Sequence, residues 1–145
     1  GLMTVGDIII AQENAKFGLS EVRLGLVPAA ISPFVMSRIG QGCARELFIT
    51  GERIKAPEAY KLGLINKVVP EEQLDEAVDG YLKLILNNGP DAIKSVKEMI
   101  FTVSQTGFPE IQEYTARLIA NLRISEEGQE GMNAFLEKRK PKWAE

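Results

Sequence analysis

The chain has 145 residues, of which 45% are apolar and 26% charged, a balance typical of a folded domain that excludes disorder as the main state. The formal net charge of −3 argues against a general nucleic-acid-binding protein. The absence of histidine and the single cysteine, Cys43, exclude His-based catalytic triads and an internal disulfide, and they argue against a zinc site. No apolar run approaches the ~20 residues of a membrane span. We therefore expect no metal, no nucleic acid and no membrane among the partners.

The first part of the chain, residues 1–69, has the pattern of short strands that alternate with helices. The β-branched residues 8–10 predict a buried strand, and residues 16–19 predict a second one. Ser20 is expected to cap a short turn that begins at Glu21. Ser32 and Pro33 are typical of a helix start, and Gly40 of its end.

The same part continues with three more predicted elements. Residues 41–50 predict a helix that stops at Gly51, and residues 56–62 predict a brief helix that stops at Gly63. Residues 64–69 alternate well enough for a strand that closes on Pro70.

The second part, residues 70–145, predicts helices almost throughout. Apolar residues recur at three- and four-residue spacing in successive stretches, which Gly89, Pro90, Gly107 and Pro109 interrupt. A last helix is predicted over residues 126–138, followed by a short basic tail. These stripes indicate core packing first of all, but they carry more apolar surface than so small a subdomain covers. We expect another subunit to cover part of it.

Glu21 is a candidate acid-base residue, because it stands on a short turn among apolar neighbours. A partly desolvated carboxylate there is suited to general acid or base work. The alternative is a structural one, since a Glu close to an Arg, here Arg23, is usually solvated or paired with it. Composition alone favours this second interpretation.

Short motifs along the whole chain, taken in order, resemble the crotonase superfamily, also called the enoyl-CoA hydratase/isomerase family. The matching pieces are Asp7-Ile-Ile-Ile-Ala, Ala15-Lys-Phe-Gly, Glu21 with Leu24-Gly25-Leu26-Val27-Pro28, Ile39-Gly40, Thr50-Gly51-Glu52-Arg53-Ile54, Ala59, Gly63-Leu64-Ile65, and residues Glu130 to Arg139. Each piece is weak alone, and the ordered set is strong. Residues 20–23 and 28–33 look most like bacterial hydratases of branched acyl-CoAs, the methylglutaconyl-CoA type.

The resemblance implies an α/β fold, with residues 1–69 as the C-terminal part of a crotonase-type ββα superhelix and residues 70–145 as a helical oligomerisation subdomain. In this family two backbone N–H groups polarise a thioester carbonyl, and one or two Glu carboxylates move the proton and position water. Glu21 matches one of these Glu residues. Phe135 and Lys138 match positions that meet the adenine and 3′-phosphate of coenzyme A. Their structural alternatives are a core Phe and a solvated Lys.

Two departures from the family pattern affect the expected activity. The chain resembles only the C-terminal half of a crotonase, so both oxyanion donors are expected to be missing. Gly1 stands where the other catalytic Glu belongs and has no carboxyl group. We expect the chain by itself to be inactive, although its family is enzymatic.

Three functions therefore stay open at the level of sequence. The leading one is an enoyl-CoA hydratase of the kind used in fatty acid metabolism, acting on a CoA thioester with no further cofactor. The second is an enoyl-CoA isomerase that uses a single Glu, and the third is a non-catalytic helical assembly module. The resemblance also implies a cytoplasmic homo-oligomer, a trimer or hexamer joined through the C-terminal helices.

Overall fold

A computed structural model describes residues 1–144 of the chain. The chain divides into two units between Asp79 and Gly80. The predicted domain boundary after residue 69 lies before this division and stays a prediction. None of the helices in residues 1–144 is long and apolar enough to cross a membrane.

The first unit combines two small sheets with short helices. Its elements are the 3₁₀ helix Leu2–Val5, β1 Ile10–Gln12, β2 Lys16–Gly18, the 3₁₀ helix Glu21–Leu24, α1 Ser32–Thr50, β3 Arg53–Lys55, α2 Ala56–Lys61, β4 Lys67–Val69 and the 3₁₀ helix Glu71–Gln73. Strand β1 pairs with β4 in parallel, and β2 pairs with β3 antiparallel. Helix α3, Leu74–Leu86, runs across the division between the units.

The core of the first unit lies between the two sheets and α1. Val35 on α1 is 1% exposed, and Ile65 before β4 is 2% exposed. Phe17 and Ile54 face each other across the β2–β3 pair and pack into the same core. The alternation of β2 and β3 therefore places one side of the hairpin inside and leaves Lys16 and Lys55 outside.

Two glycines end helical segments where the sequence predicts an end. Gly40 interrupts α1 with a φ of 68° and a ψ of 170°, so the predicted helices before and after it are two segments joined by a kink. Gly51 closes the second segment with a φ of 60°. Both positions lie in the left-handed region, which only glycine adopts without steric strain.

Several predicted boundaries are wrong for local reasons. The first strand begins at Ile10 instead of Ile8, because pairing starts where the backbone of Ile9 exchanges hydrogen bonds with Asn66. Ile8 is 42% exposed. The predicted strand over residues 64–69 is confirmed only from Lys67. The side chain of Ser20 makes no capping hydrogen bond, and helix α1 has Ile31 as its N-cap instead of Ser32.

The second unit is helical. It contains α4 Pro90–Gln105, α5 Phe108–Ile124, α6 Glu126–Leu136 and the 3₁₀ helix Lys142–Ala144. Helix α6 begins at the N-cap Ser125, whose hydroxyl accepts a hydrogen bond from the N–H of Gly128 at 3.0 Å. It ends two residues before the predicted Lys138, because the chain takes a left-handed conformation there.

Candidate active site

Glu21 opens the 3₁₀ helix Glu21–Leu24, two residues after the buried Leu19 that follows β2. The side chain is half-buried, and its Oε2 is buried without a hydrogen-bond partner among residues 1–144. Desolvation of a carboxylate oxygen that nothing satisfies is unfavourable for folding. The hydrogen-bonding capacity of this oxygen is therefore unused within the described residues.

The structural alternative for Glu21, a pair with Arg23, does not occur. The Arg23 side chain instead lies over Gly51, with its Nε 3.3 Å from the position that a Cβ on Gly51 would take. Val22 packs on the same glycine. Val22 and Arg23 therefore hold the turn against the end of α1, and the Glu21 carboxylate takes no part in that packing.

A cavity of about 190 Å³ lies in the first unit, and its lining includes Leu19, two residues before this turn. Its walls include Gly1 and Thr4 from the start of the chain, Phe17 and Leu19 from β2 and the residues after it, and Glu52 before β3. Glu21 does not line it, although Leu19 does. The lining of this cavity thus reaches Leu19, two residues before the acid, and does not include the acid itself.

The side chain of Ile31 fills the space beside Gly1. A Cβ built on Gly1 would lie 2.5 Å from Cγ2 of Ile31. A carboxylate side chain at this position would require the Ile31 side chain to move. The packing of Ile31 therefore fits a residue without a side chain at this position.

Phe135 and Lys138 lie together at the end of α6. Phe135 is 83% exposed, and Lys138 is exposed as well, so the core interpretation of Phe135 is wrong. The N–H of Lys138 donates to the carbonyl of Phe135 at 3.2 Å, which fixes the two residues in one turn. Lys138 has a φ of 54°, an uncommon conformation for a residue with a Cβ.

An ion-pair network surrounds this turn, and sequence reasoning assigned it no role. Arg139 donates from Nη1 and Nη2 to the two carboxylate oxygens of Glu130, at 2.6 and 3.0 Å, and from Nε to Glu137 at 2.6 Å. The hydrogen bond from Arg139 lowers the pKa of Glu130 to about 2. Glu130 in turn raises the pKa of Arg139 above its usual range through the same hydrogen bond. Arg139 lies beyond the end of α6, so no helical spacing predicts its pair with Glu130.

No group of three or more His, Cys, Asp or Glu side chains in residues 1–144 is arranged to hold a metal ion. The described side chains offer a carboxylate at Glu21 and, at the end of α6, an exposed cation and an exposed aromatic ring.

Comparisons with known proteins agree on one family over the full chain. The sequence profile of the enoyl-CoA hydratase/isomerase family matches residues 1–145. The short-chain-enoyl-CoA hydratase of Clostridium acetobutylicum is 36% identical over 135 residues, which are 92% of this chain and 52% of that protein. The trans-2-decenoyl-[acyl-carrier-protein] isomerase of Streptococcus mutans is 30% identical and is matched over 98% of this chain and 54% of that protein.

Solved structures resemble the chain equally well. Pseudomonas aeruginosa AtuE superimposes with a TM-score of 0.96 at 36% identity, over 100% of this chain and 57% of that one. An enoyl-CoA hydratase from Shewanella pealeana gives a TM-score of 0.92 at 41% identity, over 98% of this chain and 53% of that one. These similarities confirm the predicted crotonase fold. The chain spans a little over half the length of the relatives it matches.

Proposed function

Since the chain belongs to the enoyl-CoA hydratase/isomerase family, we propose that it takes part in the addition of water to a 2-enoyl-CoA thioester. Glu21 is the acid that moves the proton, and Phe135 with Lys138 meets the nucleotide end of coenzyme A. The observation that carries the proposal is the buried, unpartnered Oε2 of Glu21. An unsatisfied buried oxygen costs stability, and activity often comes at such a cost.

The chemistry asked of Glu21 is limited. In hydration, the water oxygen bonds to the double-bond carbon remote from the thioester, and a proton is added to the double-bond carbon next to the thioester carbonyl. A positioned carboxylate contributes about 10²–10⁴ to the rate of such a step. The enolate that forms needs two N–H donors, and the resemblance assigns these donors to a segment that residues 1–145 do not include. No cofactor other than the CoA thioester itself is needed.

A chimera tests the role of Glu21. Residues 1–145 would replace the matching segment of the Shewanella pealeana enoyl-CoA hydratase, which the chain covers over 53% of its length. We expect the chimera to hydrate crotonyl-CoA and Glu21→Gln to lower its kcat about 10²-fold or more. Glu13→Gln, at an exposed acid after β1, is the matched control and should leave kcat unchanged. An active chimera that tolerates Glu21→Gln would refute the assignment.

The chain alone is expected to show no turnover in the same assay. Loss of one oxyanion donor costs about 10²–10³ in rate, and loss of both leaves the carbonyl without polarisation. Turnover by residues 1–145 at the level of the chimera would show that all reacting groups lie within this chain.

An enoyl-CoA isomerase is the second candidate, and Gly1 favours it. A single carboxylate can remove a proton and return it to another carbon, whereas water addition normally uses two. The contact that Ile31 makes with the Gly1 position supports a site with one acid. Product analysis of the chimera separates the two reactions, because hydration gives a hydroxyacyl-CoA and isomerisation gives a shifted double bond.

Assembly into a homo-oligomer and a cytoplasmic location belong to the same proposal. Assembly is supported by apolar side chains in the second unit that stay exposed, such as Phe101 at 71% and Phe108 at 83%. A purely structural assembly module is the outcome if the Glu21 variant of an active chimera shows no kinetic effect.

A further inference from the structure

The turn that follows α6 has a backbone that normally requires glycine. The N–H of Arg139 donates to the carbonyl of Ala134 at 3.0 Å, and the N–H of Lys138 donates to the carbonyl of Phe135 at 3.2 Å. These two bonds, with the left-handed residue between the helix and Arg139, form a Schellman motif. Lysine occupies the position where its Cβ is unfavourable, at a φ of 54°.

A network of charged groups holds this turn in place. Glu130 is 16% exposed at its side chain and accepts both Nη groups of Arg139. The N–H of Lys142 donates to Oε1 of Glu130 at 3.1 Å, so the acid binds both Arg139 in the turn and the chain that follows it. Trp143 then packs over Gly131 and donates from Nε1 to the carbonyl of Asn87 at 3.3 Å.

The network uses every nitrogen of the Arg139 guanidinium. Nε binds Glu137, Nη2 binds Glu130, and Nη1 binds Glu130 and the carbonyl of Lys140. Four of the five N–H donors of Arg139 are therefore already engaged within the protein. The ammonium group of Lys138, by contrast, has no partner among residues 1–144, and Phe135 beside it is exposed.

We infer that Glu130, acting through Arg139, is a positioning residue that fixes the backbone from which the Lys138 ammonium and the Phe135 ring reach the 3′-phosphate and adenine of coenzyme A. This inference rests on the proposed function and adds to it the part of the chain that fixes the geometry. A fixed turn avoids the loss of backbone freedom that a mobile segment would suffer on binding. The bidentate fork of Arg139 suits this task, whereas a lysine there would contact Glu130 at one point.

Calorimetric titration of the purified chain with coenzyme A and with 3′-dephospho-CoA tests the inference. The native chain should bind coenzyme A more tightly, because only that ligand carries the phosphate. Glu130→Gln should weaken coenzyme A binding about tenfold, the equivalent of one charge-assisted hydrogen bond, and should remove most of the preference over 3′-dephospho-CoA. Glu126→Gln, at an exposed acid in the first turn of α6, is the matched control and should change neither value.

Two further variants separate positioning from folding. Arg139→Lys keeps the charge but loses the fork, so it should reduce the preference for coenzyme A while the circular dichroism of the chain stays native. Lys138→Gly should raise the melting temperature, because it relieves the left-handed strain, and should nevertheless abolish the preference. A rise in stability with a loss of phosphate recognition is a combination that a merely structural role does not produce.

The outcomes distinguish the inference from the function beneath it. If the native chain binds neither ligand, or binds both equally, the proposed CoA contact at Lys138 fails and this inference fails with it. If the native chain prefers coenzyme A and folded Glu130→Gln and Arg139→Lys variants keep the full preference, only the positioning role is overturned.

Discussion

At residue 21 the protein buries a carboxylate oxygen that no group in residues 1–144 satisfies. The groups around this oxygen make other contacts. The N–H of Leu26 donates to the main-chain carbonyl of Glu21, and the Arg23 side chain lies over Gly51. The main chain of Glu21 is thus used by the fold, while its side chain is not. A group that contributes to function and not to packing should reveal itself by the sign of its effect on stability.

Replacement of Glu21 by methionine is expected to stabilise the chain. Methionine has a similar length and removes the unsatisfied oxygen, so the free energy of unfolding should rise by about 1 kcal/mol. Urea denaturation of the purified chain measures it, and Glu21→Gln, which keeps a polar atom, should gain less. A loss of stability in Glu21→Met would mean that the carboxylate has a structural role after all.

Glu21 could be singled out from the sequence, but its surroundings could not. The apolar neighbours and the family motif both point to this residue, and the structure leaves its oxygen buried and free. The neighbouring cavity joins Thr4 to Glu52, residues that are far apart in the chain, and no spacing rule brings them together. The same holds for Ile31 against Gly1. Such contacts depend on how the elements pack, which local patterns do not encode.

At the scale of the elements, the N-terminus of helix α4 is capped by a residue of another helix. Its N-cap is Gly89, which offers no side chain, and Pro90 has no N–H. The carboxylate of Glu127 on α6 accepts hydrogen bonds from the next two N–H groups, those of Asp91 at 2.9 Å and Ala92 at 2.8 Å. A Cβ on Gly89 would lie 2.2 Å from Oε1 of Glu127, so the glycine makes room for the acid.

Removal of this cap should destabilise the second unit. Glu127→Ala leaves two N–H groups of α4 without a protein partner and removes a negative charge from the positive end of the helix dipole. We expect a loss of about 1–2 kcal/mol in the free energy of unfolding. Glu126→Ala, the exposed neighbour in the same turn of α6, should have little effect in the same denaturation experiment. Equal losses in the two variants would show that the cap contributes nothing.

The order and type of the helices followed from the sequence, because glycine and proline mark most of their ends. Gly40, Gly51 and Gly63 all take positive φ angles where the sequence predicts a stop. The short strands were placed less well, since a strand of three residues is defined by its partner. Strand β1 lies where β4 pairs with it and not where Ile8 begins the apolar run. Caps supplied from a distance, like Glu127 on α4, have no local signal at all.

At the scale of the whole molecule, helix α4 carries an apolar stripe that stays exposed. Val96, Ile100 and Val103 follow one another at helical spacing, and they are 48%, 63% and 37% exposed. The sequence predicts these residues as an apolar face that a subdomain of this size does not cover by itself, and the described residues leave the face open. Exposed apolar side chains in such a row favour association.

We therefore expect the purified chain to associate through this face, with a melting temperature that rises with protein concentration. Ile100→Glu places a charge in the middle of the stripe, and burial of that charge in an interface is unfavourable, so the dissociation constant should increase about tenfold or more. Gln105→Glu adds the same charge to an exposed position off the stripe and is the control. Sedimentation equilibrium of the three proteins decides the matter. A native chain that stays monomeric at every concentration, or an Ile100→Glu variant that associates like the native chain, would exclude this face as the site of assembly.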